Sequence, residues 1–440
     1  MPVESPPLAL SRCGSRVIPL HSKTTVGFSL QPHHRRAASA LLLGAAALSL
    51  AACRRDRFPA YPSNYREFAY ITDGQANAVT VLDLVYLRKD RSVNVGRNPS
   101  GIVASPTRNE IYAVNTGSDS VSVIDAGTNT VAATIGVHHT PYFLAVSPDG
   151  LRAYVPNSGS NTVSVLDLDK RREIATVASG EGPGVARVSP DNRALVVSNR
   201  TAGSVSIYNI GSDTQAPLRF RSTFSGCPGA TDIAILPDSS KAFIACSGGH
   251  QVMVVWLAAA PESYRGQQDA TLQQDHLLSL LDVGKTPVQL AMEPSGNEVF
   301  SMNFDSDSIS EISTWTNEVI ATTLVGPKPV RGVISEDTGL AAPGTLWVST
   351  FGTDSIAAYS IDDSRVETSV RTGAHPDAIA FSTDQHALLV VDTGSADVAV
   401  IRTQKTTTPE LVTMLPAGAQ PHDIAIKSFH VKRNGAPKTE

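Results

Sequence analysis

The chain of 440 residues contains no Cys-x-x-Cys-His, no His-Glu-x-x-His and no Gly-x-Ser-x-Gly. Their absence excludes covalent c-type haem, a zincin centre and the nucleophile elbow of an α/β-hydrolase. Helix-favouring patterns are scarce after residue 67, where short runs rich in Val, Ile and Thr alternate with Gly, Asn, Asp, Ser and Pro. That pattern specifies an all-β chain. Basic charge is not in excess: residues 1–52 hold five of the 36 basic residues and one of the 41 acidic ones, so the remainder carries 31 against 40, a formal net of −9. No nucleic-acid footprint is present. Gly284-Lys285-Thr286 ends like a phosphate loop, but Ser279 stands where the first glycine belongs and Pro287 opens a strand, so we read a turn.

The apolar segment Ala37 to Ala52 follows the basic His33 to Arg36 and has 16 residues, short of the ~20 that span a membrane. Basic flank, apolar run and small-residue exit make it a secretory signal. Its end, Leu50-Ala51-Ala52-Cys53, resembles a bacterial lipobox, which implies cleavage before Cys53 and lipidation there. The expected organisation is a leader over 1–52, a lipidated cysteine and tether over 53–66, a folded body over 67–429 and a tail over 430–440. The chain is then an exported bacterial lipoprotein, held on the membrane through Cys53 and facing the periplasm or the cell surface. Beyond Cys53 the exported part keeps Cys227 and Cys246, an even pair in an oxidising compartment. A disulfide between them is open, because a hairpin turn at Pro237–Ser240 sets Cys246 nearer Thr231 than Cys227.

What the sequence has in abundance is repetition. Ungapped 17-residue units begin at Phe68, Glu110, Arg152, Ala194, Lys241, Glu298, Thr345 and Ala387, and the best preserved read "EIYAVNTGSDSVSVIDA" and "RAYVPNSGSNTVSVLDL". In the third unit "AYVPN" and "TVSVLDL" alternate around a turn cluster and make a hairpin; "REIATVAS" and "GVARVS" supply two more strands before the tight turn "SPDN". Four strands per 42 residues is the size of a β-propeller blade. The chain opens on the second strand of a blade and closes on an unmatched innermost strand, "PHDIAIKSF". We therefore expect eight blades, with seven as the alternative, in a ring closed by the C-terminal strand joining the N-terminal sheet. The innermost strands are introduced by Pro99, Pro141, Pro183, Pro228, Pro287, Pro329, Pro376 and Pro421.

The strings "AYVPN" and "IYAVN", the hairpins like "SNTVSVLD", and the Pro-led innermost strands resemble the YVTN family of bacterial β-propellers over residues 67 to about 428. The resemblance implies the scaffold; members differ in what they do. Some relatives by resemblance are sugar lactonases, and eight-bladed propellers also hold the non-covalent haem of cytochrome-type nitrite reductases, where a histidine at the mouth ligates iron.

Innermost strands start at the channel mouth, so residues around the eight prolines are expected to ring one opening. The candidate ligand-binding set is His138, His139, Tyr142, Gln289, Arg331, His375, Asp377, His422 and Asp423. Four histidines from three blades allow a metal or tetrapyrrole; polar loops around a solvated channel explain them more cheaply, and the adjacent pair His138-His139 points opposite ways on an extended strand. No metal site is assigned. The Asp-rich hairpin tips are read as Asx turns and Trp256, Trp315 and Trp347 as inter-blade packing.

Two function classes follow. The first is a monomeric, lipid-tethered binding or scaffold module for an envelope protein, a glycan or a small ligand, with no cofactor and no catalysis. The alternative is a periplasmic enzyme or redox protein, lactonase-like with Asp377 and His422 at work, or holding a haem-like tetrapyrrole or a metal ion.

Overall fold

A computed structural model of the chain describes residues 59–212, 215–258, 270–336, 344–403 and 408–431. The leader, Cys53 and the final residues of the tail lie outside them. The described strands form eight four-stranded antiparallel sheets, radially repeated as the blades of an eight-bladed propeller. No helix among the described residues is long and apolar enough to cross a membrane.

Blade 2 shows how each unit is built. Its innermost strand Pro99–Ala104 pairs with Glu110–Asn115, then Ser120–Asp125, then Thr130–Gly136 outermost. Successive side chains of a strand face opposite ways, and here both faces are buried. Ile111 and Ala113 pack with Phe68, Tyr70, Val79 and Val81 of blade 1. Tyr112 and Val114 pack with Leu144, Ala153 and Val155 of blade 3. The apolar alternation is therefore continuous where a one-sided sheet would show polar residues, and each fully buried Val, Leu or Ile contributes about 1.5–3 kcal/mol.

The repeated octapeptide has a polar cause as well. Asn115 Nδ2 donates to Ser120 and Ser122 Oγ at 3.1 and 3.0 Å. The same fork joins Asn157 to Thr162 and Ser164, Asn199 to Ser204 and Ser206, and Asn303 to Ser308 and Ser310. A buried amide needs its donors satisfied, so Asn at the end of one strand calls for Ser-x-Ser or Thr-x-Ser at the start of the next.

Blade 1 joins the two ends of the chain. The strand Pro421–His430 is innermost beside Tyr65–Asp73, with Ala69 opposite Ile426 and Ile71 opposite Ile424. Asp73 clasps the joint: its carboxylate accepts the N–H groups of Ala419 at 2.9 Å and Gln420 at 3.0 Å. Gly418 has φ +123°, and a Cβ there would stand 2.1 Å from Asp73 Oδ2, so the clasp requires glycine. Ring closure thus pairs the N-terminal strand Tyr65–Asp73 on both of its sides.

Cys227 and Cys246 are joined in a disulfide with Cα atoms 4.7 Å apart. The register difficulty is removed by a shift between Ala230 and Asp232, which sets Cys246 opposite Ala230. The turn through Gly229, at φ +64°, then returns Cys227 over it.

Candidate functional site

The innermost strands converge on a channel whose mouth holds a cavity of about 250 Å³. It is lined by the residues that open those strands, among them Ser100, Tyr142, Phe143, Thr231, Arg331, Asp377, His422 and Asp423. Blade 3 departs from the repeat here: after a single bridge at Pro141 to Asn157, its innermost strand pairs over Ala145–Val146 alone. Tyr142 and Phe143 are thereby released from the sheet and line the cavity.

A polar chain crosses the mouth. Arg331 Nε lies 3.5 Å from Asp377 Oδ1, and His422 Nδ1 lies 3.8 Å from Asp377 Oδ2. His422 Nε2 stands 3.4 Å from the Tyr142 hydroxyl. Four blades contribute one group each. Burial works against the charge of Arg331, yet Asp377, Asp423 and Asp232 more than offset it and raise its pKa. The Arg331 side chain remains 40% exposed to the channel space, so a ligand can reach it. Burial raises the pKa of Asp423, against the pull of Arg331 and of the N–H groups of Ile102 and Ile424. Among the described residues, the terminal nitrogens of Arg331 have no hydrogen-bond acceptor, and no carboxylate pairs with Arg200 at the cavity edge.

The floor is a second ion pair. Arg187 donates to Asp232 at 3.2 Å and lies over the Phe143 ring, 4.8 Å from its centroid. Arg187 and Asp232 also line a further cavity of about 270 Å³, so the pair stands between the two cavities. Channel-facing acceptors also tie neighbouring blades: Asp423 Oδ2 accepts Ile102 N–H at 3.0 Å, Asp232 Oδ2 accepts Leu290 N–H at 3.1 Å, and Gln289 Oε1 accepts Gly332 N–H at 2.8 Å.

Of the expected set, the structure brings together Tyr142, Arg331, Asp377, His422 and Asp423, with Gln289 spent on the neighbouring strand. The other histidines do not join them. His138 bonds Thr176 at 2.9 Å on the outermost strand of blade 3, His139 pairs with Asp119 at 2.9 Å on the hairpin tip of blade 2, and His375 stacks on Phe351 at 4.4 Å. The expected four-histidine cluster is thus corrected to one imidazole in the mouth. The cause is local: Asn98, Thr140, Thr286, Lys328 and His375, each just before its proline, take φ of 48–56°. This left-handed turn carries the loop outward over the hairpin tip of the preceding blade, as Lys328 over Phe304 also shows. Among the described residues no three His, Cys, Asp or Glu converge on a metal position. The mouth offers a metal or a tetrapyrrole one imidazole, His422, whose Nδ1 lies 3.8 Å from Asp377 Oδ2.

Residues 96–263 match the family model described as lactonase, 7-bladed beta-propeller. That match runs from blade 2 through the third strand of blade 5, within a ring of eight. No curated protein matches the sequence. Among solved structures, the dihydro-heme d1 dehydrogenase NirN in complex with DHE is similar at 15% identity over 86% of this chain and 77% of that chain, with TM-score 0.64. AztD from Citrobacter koseri is similar at 16% identity over 84% of this chain and 99% of that chain, with TM-score 0.58. At these identities the likeness is one of fold.

Sequence reasoning missed Arg187 and Asp232. The signal was present: "GVARVS" and "ATDIAI" place a charge inside an apolar innermost strand, and a charge there must face the bore.

Proposed function

We propose that the protein is a binding propeller of the cell envelope that takes a small anion, a carboxylate on a polyhydroxylated body, into its channel mouth. The observation that carries this reading is the pair of guanidinium groups, Arg331 and Arg200, lining the cavity with donors the protein leaves unused. Guanidinium binds carboxylate through two parallel hydrogen bonds; Tyr142 supplies a hydroxyl for the rest of the ligand, while Ser100 and Thr231 donate to the carbonyls of Tyr142 and Pro287. In this reading the YVTN-like chain is exported and anchored at Cys53. Titration calorimetry of the purified protein with sugar acids and the matching neutral sugars tests the reading. Binding of the acids alone, lost in Arg331→Gln and partly kept in Arg331→Lys, is expected; equal binding of neutral sugars overturns it.

A second reading is favoured by the His422–Asp377 contact and by the lactonase family match. Asp377 Oδ2 lies 3.8 Å from His422 Nδ1, and the ring's Nε2, 3.4 Å from the Tyr142 hydroxyl, can take a proton from an attacking water. Arg331 faces the oxygen that gains charge as the ring ester opens. The product of a sugar lactone is a sugar acid, the class of anion the first reading binds. Acid release from a sugar lactone above the spontaneous rate, abolished in His422→Gln, is the expected result; equal rates with and without protein exclude it.

A further inference from the structure

On the face of the disc opposite the mouth, the turns of blades 5 and 6 enclose a second cavity of about 490 Å³. Its size falls within the ~300–1,000 Å³ of small-molecule clefts. Two of the chain's three tryptophans stand in it: Trp256, which ends the strand Gln251–Trp256 of blade 5, and Trp315, in the turn after the strand Ser308–Ser313 of blade 6. The sequence expectation of inter-blade packing holds for Trp347, which is 4% exposed, and fails for Trp315, which is 90% exposed.

We propose that this cleft is a glycan-binding site that stacks the apolar face of a pyranose ring on Trp315. The turn carrying Trp315 is fixed from both sides. Lys241 of blade 5 donates to Thr314 O at 2.6 Å and to Asn317 Oδ1 at 3.0 Å, and Thr314 Oγ1 donates to Gly296 O at 2.6 Å. Trp256 is held through Nε1 to Leu272 O at 3.3 Å and by stacking on His276. An indole face left open to solvent on a rigid turn is an uncompensated apolar surface that loses little conformational entropy on binding. Its negative π face attracts the polarised C–H bonds of a sugar ring.

Polar groups surround the platform where ring hydroxyls would fall. The Asn297 side-chain amide and Asp238 Oδ2 have no protein partner among the described residues; Asp238 Oδ1 already accepts Ser240 N–H at 2.9 Å and Oγ–H at 2.7 Å. Asp and Asn beside an indole recognise vicinal hydroxyls, acceptor and donor together. Lys241 spends its donors on the turn and Asp238 is the carboxylate of the lining, so the cleft favours an uncharged saccharide over an anionic one. A lipid interface would desolvate Asp238 and Asn297 without partners, and the cleft lacks the basic fringe of interfacial tryptophans. The proposal is independent of the mouth site.

The test is a fluorescence titration of the full chain with chitohexaose, cellohexaose and maltohexaose, and in parallel with vesicles of phosphatidylethanolamine and phosphatidylglycerol. Because Trp347 is buried, emission changes report on the cleft. Saturable quenching by at least one hexasaccharide is expected. Trp315→Ala should weaken it by about tenfold or more, the loss of a central aromatic anchor, while Trp315→Phe keeps part of it and Asn297→Ala costs less. Trp315 is so exposed that its replacement leaves folding intact, which circular dichroism of the variant verifies. The proposal is overturned if no saccharide changes the emission, if Trp315→Ala binds as tightly as the parent, or if vesicles alone bind through Trp315.

Discussion

Asp392 ends the second strand of blade 8, the position filled by Asn115, Asn157, Asn199 and Asn303 in four other blades. It is fully buried, and where those blades offer a serine or threonine hydroxyl, blade 8 offers Asp397. Burial first, against the hydrogen bonds from Gly373 N–H and the Thr372 hydroxyl and with added repulsion from Asp397, pushes the Asp392 pKa up to about 7. In the unfolded chain an aspartate titrates near 3.9. Between pH ~4 and ~7 the folded protein therefore keeps a proton that the unfolded chain releases, and stability falls as pH rises through that window, then levels off above it. Three pKa units at 1.36 kcal/mol each set a ceiling of about 4 kcal/mol. Asp392→Asn supplies the amide the fold uses elsewhere and removes the titration. Urea unfolding followed by circular dichroism is expected to find the variant and parent of similar stability near pH 4 and the variant more stable by about 2–4 kcal/mol at pH 7.5. A variant no more stable than the parent at pH 7.5, or a difference that does not grow with pH, refutes the reasoning.

Further outcomes follow from the same geometry. Asp73→Ala leaves the N–H groups of Ala419 and Gln420 without their acceptor, and a loss of about 2–4 kcal/mol is expected in urea melts, with the C-terminal strand exchanging its amide hydrogens first. Replacing Cys227 and Cys246 together by serine opens a loop of sequence separation 19; the expected cost is about 3 kcal/mol, and added reductant should then no longer shift the melting temperature. Asn199→Ala strands Ser204 and Ser206 inside blade 4, and thermal melts should register a loss of about 1–3 kcal/mol.

The ring was legible because its physics is local and repeated. A blade must bury both faces, so alternating apolar strands with Asn, Gly and Pro at fixed offsets leave little else for the chain to form, and the unmatched strand at Pro421 announces closure. The mouth was legible only in part. Proline marks where an innermost strand begins, which found Tyr142, Arg331, Asp377, His422 and Asp423, but not the left-handed residue before it that turns His375 onto Phe351. Spacing also fails where the register slips by one residue, as it does between Ala230 and Asp232 beside the disulfide. Trp315 shows a third gap: it stands just past a strand, whereas the packed Trp347 lies within one, and exposure is decided by the turn that displays it.

The joint in blade 1 sets a timetable for synthesis. Asp73 and Ala419 are 346 residues apart, so at ~5–20 residues per second the first half of the joint waits roughly 20–70 s for its other half. Throughout that interval Tyr65–Asp73 presents an unpaired backbone edge to every other nascent chain nearby. A holdase that recognises extended, unpaired strands would protect this protein most during translation, and its need would end once Ile424 and Ile426 reach their partners.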